Sequence, residues 1–148
     1  MDQGMIAFWY DLPEKGRGEY LSWLHEVHLP EILAGREELL WAAHYENAGG
    51  GDRFHEVVKD MMRAKEGEVG TGRDYLLLIG AASPHTFFNP NFPQIQERHS
   101  GETKEMVGRR IGLNVCVFSE EARVDVYLGH IINLLKGACS GKKTKKHR

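Results

Sequence analysis

Histidine and glutamate three residues apart, His28 and Glu31, are the residues of this chain whose types and spacing most suggest chemistry. On a helix, side chains at i and i+3 share a face, so the Glu31 carboxylate can orient the His28 imidazole and raise its basicity. An imidazole held in this way takes a proton from a carbon acid or a phenol near neutral pH. Both residues fall on the apolar side of their stretch. At about 100° per residue, Tyr20, Leu21, Trp23, Leu24 and Val27 share one broad arc, and His28 and Glu31 lie inside it. Tyr10, His44 and Tyr45 are further acids or orienting donors. With Trp23, Phe87 and Phe88 they supply the lining of a mostly apolar substrate pocket. A second role is open to His28, that of a structural histidine bonded to a carbonyl left over at a proline kink. His25 and His28 have a spacing that suggests a metal ion, but no third ligand stands at a fixed offset, and no metal site is predicted.

These residues need elements to hold them. The run Gly18 to Ala34 reads as a helix, with Pro30 inside it. A proline there removes one backbone hydrogen bond and clashes with the carbonyl of Glu26, so the helix is expected to kink or restart between His28 and Pro30. Met5 to Tyr10 is a short aromatic-rich strand, and Leu39 to Tyr45 is a second. Strict alternation in the second puts Leu40, Ala42 and His44 on one face, with Leu39, Trp41, Ala43 and Tyr45 on the other. Asn47 to Gly51 breaks the chain. Its triple glycine has no Walker lysine after it and no GxGxxG context, so it reads as a loop. Asp52 caps a helix reaching Lys65, whose Phe54, Val57, Val58, Met61 and Met62 recur at helical spacing.

Asp74 to Ala81 is a third strand, apolar enough for burial on both faces. The proline-rich segment after it carries Phe87, Phe88 and Phe92, too apolar for a freely solvated loop, and is expected to pack over a cavity or a partner. A helix from Pro93 to Arg110, broken at Gly101, leads to the fourth strand, Gly112 to Phe118. A final helix spans Val126 to Leu135.

Length and composition set the bounds. With 148 residues the chain reads as one domain, 1–140, followed by a basic disordered tail, 141–148. The formal net charge is -2, but the tail holds five of the 19 Lys and Arg and none of the 21 Asp and Glu. The body is therefore acidic and lacks a basic stripe with interleaved aromatics, which argues against nucleic acid as a partner. Cys116 and Cys139 show no CxxC spacing, no apolar run reaches membrane-span length, and no basic leader opens the chain. The expectation is a cytoplasmic protein with no membrane partner.

The element order is βαββαβ with an inserted helix between strands 2 and 3 and a C-terminal helix, the split unit of the α+β ferredoxin-like fold. The aromatic first strand, then Trp23, then His25-Glu26-Val27-His28-Leu29-Pro30-Glu31, then Leu39 to Tyr45, resembles the dimeric α+β barrel proteins, in particular the EthD-like branch with its helix-borne H-x-P. The resemblance covers Met5 to Tyr45, and the rest by element order only. It implies a homodimer joined through its sheets and a small-molecule ligand in a pocket between each sheet and its helices. It also implies an activity of the cofactor-free monooxygenase, cyclase or isomerase kind, on an aromatic or polyketide-like substrate and with no bound cofactor. A non-catalytic ligand-binding or dimerisation module is the other reading. Large apolar residues on both alternations of all four strands agree with a dimer, since one layer of helices covers one face.

Overall fold

The computed structural model describes residues 3–49 and 72–124. The expected helices over Asp52 to Lys65 and Val126 to Leu135, the tail, Cys139 and the Phe92 side chain lie outside those residues.

Gly4–Asp11 (β1), Leu39–Glu46 (β2), Tyr75–Ala81 (β3) and Ile111–Ser119 (β4) form one sheet in the order β2-β3-β1-β4, with every neighbouring pair antiparallel. Arg17–Trp23 (α1) and Leu29–Gly35 (α2) connect β1 to β2, while Phe92–Glu97 (α3) and Gly101–Gly108 (α4) connect β3 to β4. This is an α+β architecture. β1 lies inside the sheet because alternation gives it a fully apolar row: Ile6, Phe8 and Tyr10 join Tyr75, Leu77 and Ile79 of β3 in the core. Each such side chain, taken from water, contributes roughly 1.5–3 kcal/mol. Gly72 is required just before β3, since a Cβ there would collide with the backbone of Tyr10.

Two local irregularities decide which side chains face the core. In β2 the register with β3 shifts between Leu39 and Trp41. The bulge lets Leu39 join the core while Leu40 turns outward, so strict alternation, which grouped Leu39 with Trp41, fails by one residue. Beyond the bulge Ala42 and His44 face the helices. The second irregularity is in the helical connection. Leu24–His28 is a single π-turn, in which the Leu29 N–H reaches back five residues to the Leu24 carbonyl, and α2 restarts with Pro30 in its first turn. The π-turn falls just before Pro30, which has no N–H to donate to the carbonyl of Glu26. It also resets the faces. Trp23, Leu24, His28 and Leu29 are buried, whereas Val27, expected on the apolar arc, is 42% exposed.

After β3 the chain makes one short 3-10 turn, Pro84–Phe87, where no regular structure is expected from sequence. Asn91 and Gln94 form a reciprocal capping box that starts α3, and the Ser100 side chain accepts from the Thr103 N–H to start α4 at Gly101. The two helices together are the broken segment expected between Pro93 and Arg110.

Candidate functional site

A cavity of about 470 Å³ opens between the helices and the sheet. Ile6, Phe8, Leu77 and Ile79 form its apolar floor; His28, Glu31, Arg36, Phe87, His99 and Arg110 are among its walls. Its size falls within the range of small-molecule sites.

His28 is the site's unusual member. The residue is only 8% exposed, yet neither ring nitrogen has a hydrogen-bond partner among the described residues. The residue lines the cavity and its ring nitrogens are not among the fully buried unpaired atoms, so the polar edge of the imidazole is open to whatever enters there. Its ring is held by stacking on Trp23, centroids 4.4 Å apart and planes 17° from parallel, and His99 approaches edge-on at 6.0 Å. Five residues would be about 140° apart on an α-helix; the π-turn brings Trp23 and His28 into line. Burial, the positive charge of Arg110 and then His99 push the His28 pKa down to about 4, so the imidazole is neutral at pH 7. The expected carboxylate partnership has not formed in this arrangement. Among the described residues Glu31 makes no hydrogen bond to His28, and it stands exposed on the cavity wall. The shift is therefore opposite in sign to the one a paired carboxylate would give.

A second set of side chains runs from the cavity wall to the surface. Arg110 Nε donates to the Tyr20 hydroxyl at 2.8 Å, and Tyr20 donates to the Tyr10 hydroxyl at 3.2 Å. The Tyr10 hydroxyl meets His44 Nε2 at 2.6 Å, and His44 Nδ1 meets Nε2 of His25 at 2.8 Å. Arginine has no acceptor, so the direction of the whole chain follows. Tyr10 must donate to His44 Nε2, which leaves His44 as the Nδ1–H tautomer donating to His25. The His44 pKa is lowered to about 4 by burial, then by His25 and Arg110, in agreement with a neutral ring. Burial foremost, then the neighbouring Tyr20, pushes the Tyr10 hydroxyl pKa up, so Tyr10 keeps its proton. The rings of His44, Tyr10 and Tyr75 lie near-parallel to one another, each pair of centroids 5.4 to 5.9 Å apart.

The structure thus brings His28, Glu31 and Phe87 to the cavity and sets Trp23 behind His28. Tyr10 and His44 form the chain beneath it. Tyr45 points to the other face of β2 and is 54% exposed, and Phe88 is 59% exposed while Phe87 beside it is buried. His25 and His28 part company, one bonded to His44 and the other turned to the cavity. Among the described residues no group of three or more His, Cys, Asp or Glu is placed to hold a metal ion, and no helix is long and apolar enough to cross a membrane. Sequence reasoning missed His99 and Arg110. Arg110 directly precedes an apolar strand, at the point where a chain enters the core, and that position was the available signal. Comparison with known protein families finds no match for the chain, and comparison with curated proteins finds none.

Proposed function

We propose that the chain is a small-molecule enzyme in which His28 removes a proton from an aromatic or polyketide-like substrate held over the apolar floor, with no bound cofactor. The observation that carries this reading is a nine-tenths buried, unpartnered imidazole on the wall of a cavity of ligand size. A ring with a pKa near 4 is unprotonated at neutral pH but accepts a proton weakly. Negative charge developing on the substrate beside Arg110 offsets the field that opposes imidazolium.

The ferredoxin-like, dimeric α+β barrel reading of the fold is supported by the strand order, the antiparallel neighbours and the helical connections between β1 and β2 and between β3 and β4. A homodimer through the open sheet face is supported by the exposed Trp41, Tyr45 and Phe118, with Trp9 packed edge-on against Phe118 at 6.2 Å. The lowered pKa of His28 also favours a second reading, a ligand-binding module in which the neutral ring only hydrogen-bonds its ligand.

Deuterium wash-in beside the carbonyl of 1-tetralone and related bicyclic ketones, followed by NMR, separates the two. The enzyme reading expects wild type to accelerate exchange and His28→Gln to lose ~10²-fold of it with the fold intact. Equal exchange in the two proteins sinks catalysis by His28.

A further inference from the structure

We propose that the cavity takes a carboxylate-bearing ligand with an apolar, ring-sized body, the carboxylate clamped by the Arg110 guanidinium and the body lying on Ile6, Phe8 and Ile79. The proposal rests on the reading of the cavity as a ligand site but not on catalysis there.

Arg110 is half-buried and is built into the wall rather than left on the surface. Its guanidinium lies 5.0 Å from the Tyr10 ring centroid, 5.6 Å from that of Phe8 and 5.9 Å from that of Tyr20, and its Nε is used by the Tyr20 hydroxyl. These contacts fix the plane of the fork and leave both terminal nitrogens without a hydrogen-bond partner among the described residues. Arg36, Arg109 and Arg123 each have a carboxylate within ion-pair distance, whereas Arg110 has none among the described residues. A cation set into an apolar wall with ring faces and one tyrosine hydroxyl for company is incompletely compensated, and its field reaches outward. After burial, it is among the causes that lower the proton affinity of His28, His44 and His99. Arg98 adds positive charge to the lining, as does Arg36, itself paired with Glu38, and among the described residues Glu31 is its single carboxylate.

Such a surface selects an anion. Two coplanar oxygens match the two free terminal nitrogens of one oriented guanidinium, and an apolar floor excludes a small hydrated anion with no body to bury. A phosphate monoester would present a third oxygen beyond the two that this oriented fork matches. The groups that face His28 are Arg110 and His99, with Glu31 and Arg98 further along the wall. An arriving carboxylate therefore raises the His28 pKa, and binding takes up protons and strengthens as the pH falls from neutrality until the ligand's own carboxylate begins to protonate.

Calorimetry on the full chain at pH 7, with 2-naphthoate, 2-naphthamide and 2-naphthyl phosphate as probes, tests the proposal. The acid should bind at least about tenfold more tightly than its neutral isostere and more tightly than the phosphate. In Arg110→Gln the acid and the amide should bind alike, and Arg110→Lys should keep part of the preference. NMR titration of His28 in wild type should move upward when naphthoate is bound, which decides the matter even if the Arg110 variants fail to fold. Equal binding of acid and amide, tighter binding of the phosphate, an unmoved His28, or no binding at millimolar concentration overturns the proposal. Naphthoate binding without ketone exchange would sink the enzyme reading alone. Ketone exchange without the acid-over-amide preference would sink this inference alone.

Discussion

Tyr10→Phe removes one oxygen from the middle of a directed hydrogen-bond chain, and the structure fixes what that costs. The Tyr10 hydroxyl is fully buried, accepts from Tyr20 and donates to His44. Two bonds are lost, each worth about 1 kcal/mol net, and the Tyr20 proton and His44 Nε2 are left facing a ring edge. Phenylalanine fills the same volume, so no cavity offsets or adds to the loss. Together these give a destabilisation of about 2 kcal/mol, a large fraction of a domain's stability. Urea unfolding at pH 7.5 should show a lower midpoint with an unchanged slope. Because Tyr10 donates to the bare nitrogen of the neutral ring, its loss should also raise the His44 pKa, while burial, His25 and Arg110 still hold it below its ordinary value. A variant within about 0.5 kcal/mol of wild type, with His44 titrating as before, would refute the chain as described.

Acid sensitivity follows from the same histidines. Both His28 and His44 are lowered from 6.5 to about 4, so between those values the unfolded chain binds protons that the folded chain does not. Stability is complete above pH 6.5 and falls as the pH drops towards 4, by about 1 kcal/mol or more per histidine once solvent in the cavity is allowed for. Unfolding midpoints at pH 5 and pH 7.5 check this, and His44→Gln should flatten the slope; a flat profile in wild type would refute it. The homodimer is tested by sedimentation at micromolar concentration, where two chains per particle are expected and a monomer would reject the sheet-face interface.

Much of the architecture was legible because periodicity survives without tertiary context. The strand-forming runs Met5 to Tyr10 and Asp74 to Ala81 fall within β1 and β3, give or take a residue, and Pro30 announced an irregularity at the right place. What a pattern cannot give is the size of a local insertion. One extra residue in the π-turn moved Val27 out and stacked His28 on Trp23, and one in the β2 bulge moved Leu39 in. The pairing of His28 with Glu31 was a short-range argument, and burial together with the long-range approach of Arg110 and His99 set the electrostatics instead. His44 and Tyr10 were singled out as donors from their types, but their connection through Tyr20 to Arg110 joins positions 90 residues apart and has no signature in spacing.

The central claim is that His28 is a neutral imidazole, without a carboxylate partner, turned into the cavity. Its titration in the wild-type chain, followed through the ring nitrogens by NMR and repeated in Glu31→Gln, tests this most directly. The account predicts a midpoint near 4 that stays well below 6.5 in both proteins. A midpoint at or above 6.5 that falls when Glu31 loses its charge would show a paired imidazolium in its place and contradict the account.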